Sequence, residues 1–80
     1  MKKNEILELA RHNVLRVGLR NQKMITHPRN HGVAYVPYQV VESKQQDGSW
    51  ALAVLYQNNE GYTYCRNADD FEKFSEAKDA

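Results

Sequence analysis

The side chains of this chain that could do covalent or metal chemistry are three histidines, one cysteine and a pair of adjacent aspartates. His27 and His31 stand four residues apart, a spacing that lets two imidazoles share a helix face and hold zinc. Pro28 lies between them and bars that helix. On a loop they would need further ligands from His12 or Cys65, and there is no Cys-x-x-Cys pair to help. No metal and no cofactor is expected. Cys65 and a histidine would make a nucleophile–base pair. Yet Cys65 sits in an alternating stretch beside Tyr64, where a lone cysteine reads as small core filling. Catalytic nucleophiles sit more often on turns or helix starts, where backbone donors form an oxyanion hole. Asp69 and Asp70 are adjacent and diverge, so they suit a helix N-terminus rather than an acid–base pair. The four glycines form no phosphate-binding loop. His12-Asn13 and Asn30-His31 are fragments of a nuclease-like pattern without its metal-binding helix. No catalytic residue is assigned, and the chain reads as a protein that is not an enzyme.

Recognition chemistry is better represented. Five tyrosines and one tryptophan fall within residues 35–64, more rings than a core of this size can hide. Tyrosine beside arginine is what protein interfaces and single-stranded nucleic-acid platforms use. Residues 1–31 carry seven Lys or Arg against Glu5 and Glu8, a net of +5. Residues 32–80 carry four against eight acids, a net of −4. Either the basic half is a working surface or the two halves neutralise each other within the fold. The partner-binding surface is expected to combine Arg16, Arg20, His27, Arg29, His31, Tyr35 and Tyr38, with the loop at 27–32 on a rigid sheet. A protein partner is favoured because the overall charge is +1, whereas nucleic-acid-binding domains are usually strongly basic. The alternative is a nucleic-acid binder that uses the basic N-terminal half. The RNP-type spacing of RNA-binding sheets is missing.

Eighty residues make one small domain over 1–80, with 1–3 and 77–80 expected to fray. Such a chain buries roughly 60% of its extended surface, so its stability is marginal. One cysteine excludes an internal disulfide and fits a reducing compartment. Lys2 and Lys3 resemble the start of a signal peptide, but Asn4, Glu5 and Glu8 interrupt any apolar stretch. No segment is apolar for long enough to span a membrane. A cytoplasmic location is expected, and self-association would be one way to add stability.

The elements that must position these residues can be read from periodicity. Ile6, Leu9, Ala10 and Asn13 follow helical spacing over 5–13, with Asn4 as N-cap. From Val14 to His27 two readings stand. The helix runs on to Val17 and ends at Gly18, or residues 15–20 and 23–27 form a hairpin, which the β-branched Val14 and Val17 favour. Residues 33–43 form a β-rich run that Pro37 makes bulged or edge-like. Residues 50–56, between Asp47-Gly48 and Asn59-Glu60-Gly61, read as a strand buried on both faces, with Trp50, Leu52, Val54 and Leu55 in the core. Ala51 and Ala53 would let a helix approach one face. A three-residue loop with Gly61 in the left-handed position pairs Tyr56 with Tyr64. Asn67 then caps a short helix edged by Phe71 and Phe74.

Leu55-Tyr56, then Gly61-Tyr62-Thr63-Tyr64-Cys65-Arg66 and Phe71, resemble the Leu-Tyr…Trp-Val-Arg-Pro…Phe ending of a small bacterial domain family of unknown function. The likeness spans under a quarter of the chain. It lacks the proline after Arg66 and the Lys-Gly opening, and it implies no activity.

The expected object is an α+β domain: a small antiparallel sheet of three to five strands with an N-terminal helix and a short C-terminal helix. With five strands it would suit a small SH3-like barrel. Its expected role is that of a non-catalytic, protein-binding regulator, adaptor or inhibitor. The small modules of phages and mobile elements offer an analogy of size.

Overall fold

Apolar residues at i, i+3 and i+4 (Ile6, Leu9 and Ala10) put one stripe on the N-terminal helix, α1 (Lys3–Val14), and Leu7 and the polar Asn13 at i+7 are buried along it as well. The structure, a computed structural model, describes residues 1–14, 22–30 and 32–77. The helix starts before the expected cap at Asn4. The Lys2 carbonyl accepts the Ile6 N–H at 3.1 Å, and the Lys2 N–H donates to the Glu5 carboxylate at 3.2 Å. Glu5 thus supplies the reciprocal half of a capping box and shifts the start by two residues. The choice between helix extension and hairpin falls on residues 15–21, outside the described residues. Of the strand expected over 23–27, β1 (Ile25–Thr26) is present.

Turn chemistry sets the sheet. β2 (Val36–Lys44), β3 (Trp50–Gln57) and β4 (Thr63–Asn67) are antiparallel in that order, so the apolar run at 50–56 is central as expected. Asp47-Gly48 closes the first hairpin. Gln45 N–H bonds the Ser49 carbonyl at 2.7 Å, and the Asp47 carboxylate accepts both the Ser49 N–H at 2.9 Å and its hydroxyl at 2.6 Å. The second hairpin closes with Asn58 N–H on the Tyr62 carbonyl at 3.1 Å, and Gly61 takes φ +88°. That left-handed residue is what a three-residue loop needs, and Tyr56 stands opposite Tyr64. Pro37 marks a bulge, with the register slipping between Pro37 and Gln39 around Tyr38.

Among the described residues the strands close no barrel. β1 pairs with β5 (Ser75–Glu76) as a separate two-stranded ribbon, and the Ile25–Tyr35 bridge joins it to the segment before β2. The C-terminal helix is one 3-10 turn, Ala68–Asp70. Asn67 makes no capping bond. Its side-chain amide donates to Gln45 Oε1 at 2.9 Å and ties β4 to the first hairpin. Beyond the 3-10 turn Phe71 and Phe74 are both buried in the core, and the Phe74 N–H closes a further turn onto the Phe71 carbonyl at 3.0 Å.

Two packing expectations are corrected. The helix covers the face of Val54 and Tyr56, with Leu52 packed against that core, and not the alanine face. The larger side chains have more apolar area to remove from water. Trp50 is 63% exposed, because it opens β3 beside Lys44 at the hairpin end, beyond the core cluster. Val54 is fully buried as expected, and Leu52 and Leu55 are half-buried. The N-terminal ammonium donates to the carbonyls of Phe71, Glu72 and Phe74 at 3.0, 2.9 and 2.9 Å, fastening the start of α1 to the 71–74 turn.

Candidate partner-binding cleft

Alternation along the two paired strands places Tyr56 on β3 and Tyr64 and Arg66 on β4 on the helix side of the sheet. Beside them the 71–74 turn brings up Phe74. The Ile25–Tyr35 bridge brings up Tyr35 and the loop that begins at His27. The result is an open cleft of about 630 Å³ with a floor of rings. Tyr35 meets Tyr56 edge to face at 5.5 Å between centroids, and Tyr64 lies tilted against Tyr56 at 5.5 Å. His27 stands edge-on to Phe74 at 4.9 Å, and its Nδ1 accepts the Arg29 N–H at 3.1 Å. Asn30 Nδ2 donates to the Tyr35 hydroxyl at 3.1 Å.

Arg66 spans this floor. Its Nε donates to the Tyr56 hydroxyl at 3.3 Å and its Nη1 reaches the Asp70 carboxylate at 3.4 Å. The guanidinium carbon lies 5.2 Å from the Phe74 ring centre, a cation–π contact. The bond to Tyr56 is the main reason the arginine holds its proton more tightly than usual, with the Asp70 charge adding to it. Arg66 is therefore pre-oriented, which lowers the entropy a partner must remove on binding. Arg29 and Lys73 add positive charge at the rim, and Glu72 adds negative charge.

Of the residues expected to bind a partner, the structure brings His27, Arg29 and Tyr35 together in the cleft. Tyr38 is half-buried at the β2 bulge and does not line it. Arg16, Arg20 and His31 lie outside the described residues. The sequence reading missed Tyr56, Tyr64, Arg66, Asp70, Lys73 and Phe74 as members. The available signal was the Tyr56–Tyr64 pairing, which puts Arg66 two residues along on the same face.

Cys65 is exposed, not core filling. It lies between Tyr64 and Arg66 and so points to the opposite sheet face, away from His27. Asp69 and Asp70 stand in the first turn of the 3-10 helix, as expected, and each also pairs with a cation. Asp69 meets Lys3 at 3.6 Å and Asp70 meets Arg66. Both pairs are solvent-exposed and contribute little stability, but they show that part of the acidic C-terminal charge is met within the fold.

No protein-family model matches this chain, and neither curated proteins nor solved structures give a significant match. Among the described residues no helix is long and apolar enough to cross a membrane.

Proposed function

We propose that this chain is a non-catalytic binding module, a small regulator, adaptor or inhibitor, that docks a protein partner in the tyrosine cleft. The observation that carries this reading is Arg66, held across a floor of tyrosine and phenylalanine rings in an open cleft. Tyrosine and arginine are the side chains most enriched at interface hot spots. The cleft also carries both signs of charge, with Arg29, Arg66 and Lys73 against Asp70 and Glu72. Mixed charge favours a polypeptide, which carries both signs itself, over a phosphate backbone, which carries one. The net charge of +5 over residues 1–31 would favour an acidic partner.

Affinity capture from native lysate tests this, with nuclease present and absent. Nuclease-resistant capture that is lost in Tyr64→Ala and in Arg29→Glu with Lys73→Glu, both with unchanged melting curves, supports the cleft. Capture that nuclease abolishes, with a steep salt dependence, moves the reading to nucleic acid. Capture that survives the cleft variants but fails in Arg16→Glu with Arg20→Glu places the surface elsewhere.

A further inference from the structure

The hydrogen-bond alternation shows which backbone groups of β4 face outward. Asn58 and Tyr62 form a hydrogen-bonded pair. Hydrogen-bonded and non-hydrogen-bonded pairs alternate along an antiparallel ladder. Tyr56–Tyr64 and Val54–Arg66 are therefore bonded pairs, while Gln57–Thr63 and Leu55–Cys65 are not. The N–H and C=O groups of Thr63 and Cys65 point away from β3 and bond no described residue. Thr63, Tyr64 and Cys65 are also exposed. Natural edge strands are blunted by proline, lysine, bulges or a covering element. The opposite edge, β2, has Pro37, a bulge and Lys44. β4 has no proline, lysine or bulge.

We propose that β4 pairs antiparallel with β4 of a second copy of this chain, about a two-fold axis through Cys65. Charge and length select this register. Outward-facing residues must meet outward-facing residues across the axis. Centring on Arg66 would oppose two guanidinium groups, which destabilises a cross-strand pair. Centring on Tyr64 would leave the end of the strand unpaired. Centring on Cys65 pairs all five residues of β4 with no like charges opposed. It sets Arg66 opposite Tyr64 of the second copy, a favourable cation–aromatic pair, and Thr63 opposite Asn67. The contact is isologous, with the same strand used twice. The axis is normal to the sheet, so both clefts lie on one face and meet at their β4 rims. Each copy then adds its Tyr64 to the Arg66 side of the other cleft. This self-pairing stands independently of the protein-partner reading.

Sedimentation equilibrium on the full chain tests the proposal. A concentration-dependent monomer–dimer equilibrium is expected, and Cys65→Ser should retain it. Cys65→Lys sets two ammonium groups directly opposite at the axis and should give a monomer with an unchanged circular dichroism spectrum. A short bis-methanethiosulfonate linker should join two wild-type chains through Cys65, because paired Cα atoms at such a position lie about 5.5 Å apart. A monomer at every concentration overturns the proposal, as does a monomer whose β4 edge pairs only with a different protein. So does a dimer that Cys65→Lys leaves intact or that gives no Cys65 cross-link.

Discussion

Asn13 Nδ2 donates to the Pro37 carbonyl at 2.6 Å, joining the last turn of α1 to the bulge of β2. The same side chain exchanges two further bonds with the backbone of Lys23, at 2.8 Å each. Asn13 is fully buried and its polar atoms are all paired. It acts as a short peptide unit that continues the Ile25–Tyr35 bridge, two residues further along each segment. Proline bends β2 away from its ladder at this point, and the asparagine takes the carbonyl that the bend presents.

Replacing Asn13 by alanine or leucine should therefore cost about 2–4 kcal/mol, because it leaves buried backbone groups without partners. Urea denaturation would show a lower midpoint with an unchanged slope. A loss below about 0.5 kcal/mol would mean that water replaces the amide at no cost.

The central strand should show a sharp contrast between two apolar positions. Val54→Ala removes fully buried methyl groups and should cost about 2–3 kcal/mol. Trp50→Ala removes a mostly exposed ring and should stay within about 0.5 kcal/mol. Thermal melts of the two variants decide this, and equal losses would contradict the burial pattern.

Tyr56→Phe keeps the ring and removes the acceptor of Arg66 Nε. The expected cost is about 0.5–1.5 kcal/mol, the usual net value of one hydrogen bond. The Arg66 Nε–H signal in nitrogen-correlated NMR should exchange with water faster than in the parent. Unchanged exchange would mean that Asp70 and Phe74 suffice to hold the guanidinium.

Asp47 offers a pH test. The Ser49 hydroxyl and N–H donate to its carboxylate and lower its pKa below the usual 3.8. The sign follows directly: the charged form is the one favoured by folding. The turn has this support above pH 3.8 and loses it as pH falls through the lower folded value. A carboxyl-detected titration should give a midpoint below 3.8 in the parent and a rise in Ser49→Ala.

The legible parts of this fold were those governed by neighbours in sequence. Gly61 in the left-handed region dictates the loop, and the loop dictates that Tyr56 faces Tyr64. Pro37 removes a ladder donor and announces its bulge. Helical spacing places Ile6, Leu9, Ala10 and Asn13 on one buried stripe. Where the cap signals misled, another group had taken the residue or its role. Asn67 carries the signature of a cap, but Gln45 uses its side chain. Asn4 suits a cap, but Glu5 closes the turn onto Lys2.

The sequence by itself determined the class, the two hairpins, the Tyr56–Tyr64 register of the second and the central place of 50–56, because turn geometry and period-two alternation act over a few residues. Only the tertiary structure decided which face of that strand the helix covers. It alone placed Trp50 outside the core, and it gathered His27, Tyr35, Tyr64, Arg66 and Phe74 around one cleft. Those five residues span 27–74 in the chain, and their meeting depends on the Ile25–Tyr35 bridge and on the burial of Phe71 and Phe74. Such contacts are set by the competition of all apolar surfaces for one small core, which no local pattern encodes.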